Sequence, residues 1–392
     1  MQSRSFLLTL IGTPFRGCRG YGLWMAFLLA LMGLGAFCYA HQFTHGLVAT
    51  GLDDRAVWGL YIGNFTFLVG VAAAAVMLVV PAYLFGHRGM ARVTPYGEAL
   101  GFSAVVMSLM FVFVDLGQPL RIWHAVPFLG TFNFPASIMA WDMVVLMLYG
   151  GLCLGLWYRM VHARWRGVRA SSLRGHWLLV VLAVVLGIGI HTVTAFMMSG
   201  VVSRPFWNSA VMAPRFIASA FAAGAGVMIL AFKVLHWQTR FRLPGSVVRL
   251  LSVAMASAML VHLFLLGSEL FVAFYGGGGH GAVVRHLYGG SAGLSLWMQG
   301  ALALNAVAFA MLIIPPLRRR PVWLNLASLL AVVGVWMEKG VGLVVPGLVP
   351  TPLGEMGVYM PTGIEMGVAV GIWGLGAGVF TLMVRGGVAL AR

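Results

Sequence analysis

The chain has 392 residues, 61% hydrophobic and only 9% charged, and its 25 Lys and Arg against 9 Asp and Glu give a formal net charge of +16. So apolar a composition, with charges confined to short intervals between apolar runs, excludes a soluble globular domain and indicates a multi-pass membrane protein. Nucleic acid is excluded as a partner, because the basic residues are spread a few to a loop rather than gathered in one patch.

Crossing roughly 30 Å of hydrocarbon takes about 20 apolar residues. Ten runs approach or exceed that length: 22–40, 58–84, 96–117, 136–158, 177–199, 214–232, 247–275, 292–314, 322–341 and 361–385. An even count puts both termini on one side. Nineteen of the 25 basic residues fall in ends or loops that alternate to that same side, from Arg4, Arg16 and Arg19 through Arg318–Arg320 to Arg385 and Arg392. The positive-inside rule makes this face, and both termini, cytoplasmic. Eight of the nine acids, all except Glu98, then lie at or toward the outer face. The first apolar run, Phe6 to Ile11, is too short for a cleavable signal sequence.

The expected fold is all-α and integral to the membrane, a single domain over 1–392. Span 1 and its outer loop (22–57) are peripheral, 58–199 form a first four-helix bundle, 200–341 a second, and 342–392 an outer loop and span 10. Val71–Leu78 in span 2 echoes Ala222–Ile229 in span 6. A four-span offset preserves orientation, which suggests a parallel repeat of spans 2–5 and 6–9. Small-residue runs also recur wherever membrane helices approach closely.

Cys18, Cys38 and Cys153 are isolated, with no CxxC or CxxCH spacing and no run of cluster ligands. His191 and His262, the two intramembrane histidines, lie at depths that differ by roughly 8 Å at 1.5 Å per residue. Neither a bound haem nor an iron–sulfur cluster is expected in this chain, nor any other metal.

Several polar side chains fall inside spans, where an ionisable group is costly and a functional role is the default reading. Counted from the outer ends of their helices, Asn64, Asp142, His191 and Glu269 come to depths of roughly 9–12 Å, and Asp115 ends span 3. If they face one interior, a carboxylate–imidazole–amide layer suits a quinone headgroup. Its two carbonyls need donors, and its redox change needs a group that exchanges protons with the outer side. Asp142 and Asp115 are the candidate proton-exchanging residues, Glu269 and Asp142 the candidate proton path, and Trp141 belongs with the pocket beside Asp142. Each has a structural alternative: Asp142 satisfying a neighbouring helix, Asp115 clamping Arg121, Glu269 bracing its bundle. Glu338 next to Lys339 reads as a local ion pair at a span end.

The outer loops carry a sharper pattern. Asp115-Leu-Gly-Gln-Pro-Leu-Arg121 places an acid, a helix-ending Gly/Pro pair and a base at the outer mouth, and Arg204-Pro-Phe-Trp-Asn208 places a base and two aromatics on the same face. Arg204 is one of only six basic residues there, against the positive-inside tendency, so Arg121, Arg204 and Trp207 are candidates for docking a partner.

These motifs carry a family resemblance. Trp58–Gly70 resembles the span that opens the core bundle of the NrfD-like polysulfide reductase membrane subunits, and Asp115–Arg121 resembles that family's acid-Leu-Gly-Arg-Pro turn, with Gln118 in place of Arg. His191–Phe196, Arg204–Asn208 and Ala213-Pro-Arg-Phe216 are similar to its span-5-to-6 signature, and Trp336–Lys339 and Pro361–Glu365 to motifs of its ten-span branch. Within that branch the chain looks closest to the subunits of the sulfite-reductase-associated transmembrane complex and of the high-molecular-weight cytochrome complex. The resemblance implies two bundles, a menaquinone or ubiquinone pocket near the outer face, and no other cofactor. The family's pocket positions correspond here to Tyr61, Asn64, Asp115 and Asp142. It further implies a ferredoxin-like iron–sulfur subunit on the outer face, a multihaem cytochrome c, further membrane subunits, and a bacterial or archaeal cytoplasmic membrane.

The expected function is therefore quinone-linked electron transfer within a respiratory complex. A proton-translocating coupling module and a purely structural anchor are the rival readings.

Overall fold

The computed structural model describes residues 6, 8–10, 12, 19–126, 129–167, 177–201, 203–239, 243–276, 278–290, 293–348 and 359–389. Arg4, Arg16, Cys18, Arg169, Arg174, Arg240, Arg242, Glu355 and Arg392 lie outside them. No strand occurs among the described residues. Ten helices are long and apolar enough to cross a membrane. Spans 1–5 are Arg19–Ala49, Leu60–Tyr83, Arg88–Asp115, Ile138–Trp165 and Trp177–Ser199; spans 6–10 are Met212–His236, Gly245–Gly276, Leu294–Ile313, Pro321–Gly347 and Gly363–Gly387. They follow the ten apolar runs in order. Span 1 runs on past its expected end to Ala49, and span 3 starts early, at Arg88, in the charged stretch that hydropathy assigns to a loop. There the His87 imidazole caps the helix, its Nδ1 accepting from the Met90 amide at 3.0 Å.

Spans 2–5 close one ring and spans 6–9 a second, the two four-helix bundles of the fold. Span 2 lies at the centre. Every residue from Leu60 to Ala73 is buried, as a helix apolar on all sides must be. Its helix breaks between Ala73 and Val76, and the Tyr149 hydroxyl donates to the Ala72 carbonyl at 3.0 Å, satisfying backbone exposed by the break. The bundles meet where span 2 packs on span 6. A Cβ on Gly70 would lie 3.4 Å from Ala220, and one on Gly224 would collide with Ala74. The two segments whose likeness suggests a repeat are thus in mutual contact, and small residues there are what close helix approach requires.

Spans 1 and 10 stand outside both rings. Span 10 packs on spans 1, 2 and 3, with Gly35 and Gly371 leaving no room for a side chain between spans 1 and 10. Two stretches read as loop are helical, Gly278–Gly289 and Val341–Gly347. The second, after a break at Gly340, is buried from Gly342 to Gly347.

Candidate functional site

Asp142 enters the first bundle one turn into span 4 and is 7% exposed. Opposite it on span 5, the Thr194 hydroxyl lies 2.6 Å from Asp142 Oδ1 and 2.7 Å from the Ile190 carbonyl, so one proton is shared between two acceptors. His191, three residues earlier, occupies the same face of span 5. Its Nδ1 lies 3.0 Å from the Gly187 carbonyl. A carbonyl only accepts, so Nδ1 carries the proton and Nε2 of the neutral ring is a bare acceptor. That nitrogen is buried without a partner, an expensive state unless something else fills the place. The acceptor imidazole and Thr194, the residue that holds the carboxylate, thus lie within one helical turn of span 5, in the acid-rich half of the membrane. This donor and acceptor set fits a quinone headgroup, whose reduced form presents hydroxyls.

The rest of the expected layer does not join them. Asn64 is buried, but its Oδ1 accepts from the indoles of Trp336 (3.1 Å) and Trp373 (3.0 Å) while its Nδ2 donates to the Leu60 carbonyl. The amide ties span 2 to spans 9 and 10, so the headgroup contact expected of Asn64 is taken up by two indoles. Tyr61 faces span 1: its hydroxyl donates to Gln42 Oε1 at 2.6 Å, and Gln42 Nε2 donates to the Val114 carbonyl at 2.7 Å. The next residue, Asp115, has a buried Oδ1 without a partner and lies within electrostatic reach of Glu365. No ion pair joins Asp115 to Arg121 among the described residues, and Arg121 is exposed on the short 3₁₀ helix Pro119–Ala125.

The Pro361–Glu365 motif resolves into a capping box that starts span 10. The Glu365 amide donates to Thr362 Oγ1 (3.3 Å) and Glu365 Oε2 accepts from the Thr362 amide (3.0 Å). The same carboxylate accepts from the Gly51 amide and the Tyr359 hydroxyl, each at 2.7 Å. Burial and this neighbouring carboxylate push the Tyr359 phenol well up, which keeps it a donor.

Of the docking candidates, Trp207 is 2% exposed, its indole donating to the Leu343 carbonyl at 2.9 Å and lying against Trp58. That is a correction: an aromatic expected at a partner surface is inside, pressed so closely on Gly347 that no side chain could replace that glycine's hydrogen. Arg204 donates to the Leu348 carbonyl at 3.1 Å. Both residues bind the 200–211 loop to the end of span 9. Trp141 is partly exposed, its indole donating to the Pro135 carbonyl, and faces away from Asp142 as adjacent helical residues do.

The second bundle holds a charged centre of its own. Arg215 pairs with Glu269 through Nη1 and with Glu338 through Nη2, the latter at 3.1 Å. Glu338 Oε2 also lies 2.9 Å from both His262 Nε2 and Asn305 Nδ2. Glu269 therefore braces spans 6 and 7 rather than facing Asp142. The local pair expected between Glu338 and Lys339 is absent, since consecutive helical residues diverge by about 100°. Lys339 turns instead toward span 6, its Nζ 3.3 Å from the Phe216 carbonyl and 4.3 Å from the ring centroid. Arg215, the hub, stands inside the Ala213–Phe216 motif, where the sequence assigns it no role. The one signal for it is a base on a face where bases are scarce.

Known proteins are similar over most of this length. The sequence pattern of the family described as "Polysulphide reductase, NrfD" matches residues 48–350. A Halobacterium salinarum protein named as a membrane component of dimethyl sulfoxide reductase is 29% identical, covering 96% of this chain and 92% of its own. The menaquinone reductase integral membrane subunit of Nitratidesulfovibrio vulgaris is 24% identical over 93% of this chain and 90% of its own. The Hdr-like menaquinol oxidoreductase integral membrane subunit of Archaeoglobus fulgidus is 24% identical over 82% and 78%. Ten membrane-crossing helices, two bundles and a family match over some three-quarters of the residues agree: the chain belongs to the polysulphide reductase NrfD family.

Proposed function

We propose that this chain is the quinone-reactive membrane subunit of a multi-subunit respiratory oxidoreductase. The carrying observation is the bare, buried Nε2 of His191, one helical turn along span 5 from Thr194, whose hydroxyl holds Asp142. A bound quinone supplies two-electron, two-proton chemistry. His191 Nε2 would accept a hydrogen bond from a hydroxyl of the reduced quinol, Asp142 would take or return the proton, and Thr194 holds the carboxylate in place. Asp115, at the end of span 3 with an unpartnered oxygen, passes protons to the acid-rich face, and the Tyr61–Gln42 pair fixes the wall between spans 1 and 2. Two relatives are named for menaquinone and menaquinol, which favours menaquinone over ubiquinone here. Electrons are exchanged with an iron–sulfur subunit docked on the acid-rich face. An azido-menaquinone photolabel on the purified complex is expected in peptides of residues 138–165 and 177–199. Label confined to residues 212–347 would rule out the first-bundle pocket.

Sidedness follows from charge. The basic face is assigned to the cytoplasm and the acid-rich face to the outside of a bacterial or archaeal cytoplasmic membrane. In a background without the native cysteines, an impermeant maleimide should label Leu120→Cys in intact cells and Arg319→Cys only after the membrane is opened. The reverse pattern would invert every placement made here.

Proton translocation is the second reading, and one observation favours it. Asp142, Tyr149 and Cys153 lie along one face of span 4, and buried Glu98 hydrogen-bonds the Cys153 thiol, extending polar groups from the acid-rich half toward the basic face. Turnover in sealed proteoliposomes without a pH change beyond that of the quinone chemistry would remove this reading.

A further inference from the structure

A sizeable apolar recess lies away from the Asp142 site. It is a cavity of about 410 Å³ between the two bundles, in the half of the membrane nearer the basic face. Val76 and Pro81 of span 2, Ile188 of span 5, Phe221 of span 6 and Ala254 of span 7 line it. Its size falls within the roughly 300–1,000 Å³ typical of small-molecule sites. The lining is wholly apolar, so what fills it must be hydrocarbon.

The charge at its mouth narrows the occupant. Met90 and Leu250, both lining the recess, follow closely on Arg88 and Arg249, which are exposed at the starts of spans 3 and 7. Those two helix starts touch: a Cβ on Gly89 would lie 3.1 Å from Ser246 Oγ and 3.2 Å from Val247 Cγ2. The helix starts that carry Arg88 and Arg249 therefore share one corner beside the apolar slot. The adjoining loops offer no acidic side chain to pair with these arginines. The loops of the basic face, 84–95, 159–176, 233–246 and 314–320, contain no Asp or Glu, and Glu98 is buried within the first bundle. Neither arginine makes an ion pair among the described residues. Basic corners between membrane helices on the face that carries the positive charge are where acidic headgroups bind, and the guanidinium fork suits a phosphodiester.

We infer that this interbundle recess is a binding site for one anionic phospholipid, its acyl chain in the slot and its phosphate on Arg88 and Arg249. The site is independent of the quinone reading, since it shares no residue with the Asp142 pocket. It mortars the two bundles together at the half of their interface nearer the basic face.

The test uses native mass spectrometry of the full-length protein in detergent, titrated with dioleoyl phosphatidylglycerol or dioleoyl phosphatidylcholine. Wild type should retain one phosphatidylglycerol at least about tenfold more tightly than phosphatidylcholine. Arg88→Gln with Arg249→Gln, both on exposed residues, should abolish that preference while the protein elutes unchanged in size-exclusion chromatography. Ala254→Trp, which fills the slot, should lose both lipids while keeping quinone-linked turnover. A preference that survives the double substitution, or lipid retention unchanged by Ala254→Trp, overturns the site. So does release of a protein subunit by Ala254→Trp, which would make the occupant a partner's helix.

Discussion

Replacing Arg215 by leucine is expected to destabilise the folded protein by about 3–5 kcal/mol, the usual cost of removing one partner from a buried ion pair. The guanidinium serves two carboxylates on two different helices, Glu269 of span 7 and Glu338 of span 9. Without it Glu269 loses its partner and Glu338 is left with His262 and Asn305, among the described residues. The Coulombic gain of the intact network need not exceed its desolvation cost, so the large effect comes from the charge left behind rather than from the pair itself. Two further variants separate these contributions. Arg215→Lys should recover only part of the loss, because an ammonium is a point charge and cannot fork between two acids. Arg215→Leu combined with Glu338→Gln should be less destabilised than the sum of the two single changes, since the second removes part of the uncompensated charge. Thermal unfolding in detergent, followed by thiol-reactive dye at the buried Cys38 and Cys153, reads all three. An Arg215→Leu protein as stable as the parent would mean that water or lipid headgroups already compensate this centre.

That centre also marks where sequence reading stops. The spans are legible because hydropathy is a local property. The start of span 3 is not, because the stretch 88–95 is charged and carries Pro95, and only the His87 cap shows that the helix begins there. Depth along a helix is legible for Asn64, Asp142, His191 and Glu269, but rotation about its axis is not, and rotation decides partners. Asn64 turns to Trp336 and Trp373, 272 and 309 residues away, and Glu269 to Arg215, 54 residues before it. Glu338 and Lys339 mislead in the opposite sense: adjacency in the chain suggests a pair that helical geometry forbids. The motif residues fare better as structure than as chemistry. Thr362 and Glu365 form a reciprocal cap, and Trp207 locks a loop to Val341–Gly347. Of the site itself, Asp142 and His191 both stand out as ionisable groups within spans, yet Thr194, the residue beside them that holds the carboxylate, does not. A hydroxyl in a membrane helix usually bonds its own backbone four residues back, as Thr194 also does, so nothing local distinguishes it.

Changing Asp142 to asparagine is expected to lower quinone-linked turnover at least about tenfold, which corresponds to roughly 1.4 kcal/mol of barrier. Asparagine has nearly the same shape, and its amide oxygen can still accept from Thr194, so packing and assembly should be unaffected. What it removes is a group that can gain and lose a proton. Thr194→Val makes the complementary change: the acid stays, its 2.6 Å donor goes, and a smaller loss of rate is expected because the carboxylate is then held less firmly. His191→Phe should act on binding, since it deletes the bare acceptor without touching the acid. A raised quinone KM with a lesser change in kcat is the expected signature. Turnover is to be measured on the purified complex with its natural redox partner, alongside size-exclusion chromatography to show that the subunits remain together. The control lies in the other bundle. Glu269→Gln weakens the Arg215 network and should lower thermal stability while leaving quinone KM unchanged, because Glu269 faces away from the Asp142 pocket. Wild-type turnover in an intact Asp142→Asn complex would dismiss this carboxylate as the proton-exchanging group. A raised quinone KM in Glu269→Gln but not in His191→Phe would move the quinone site to the second bundle.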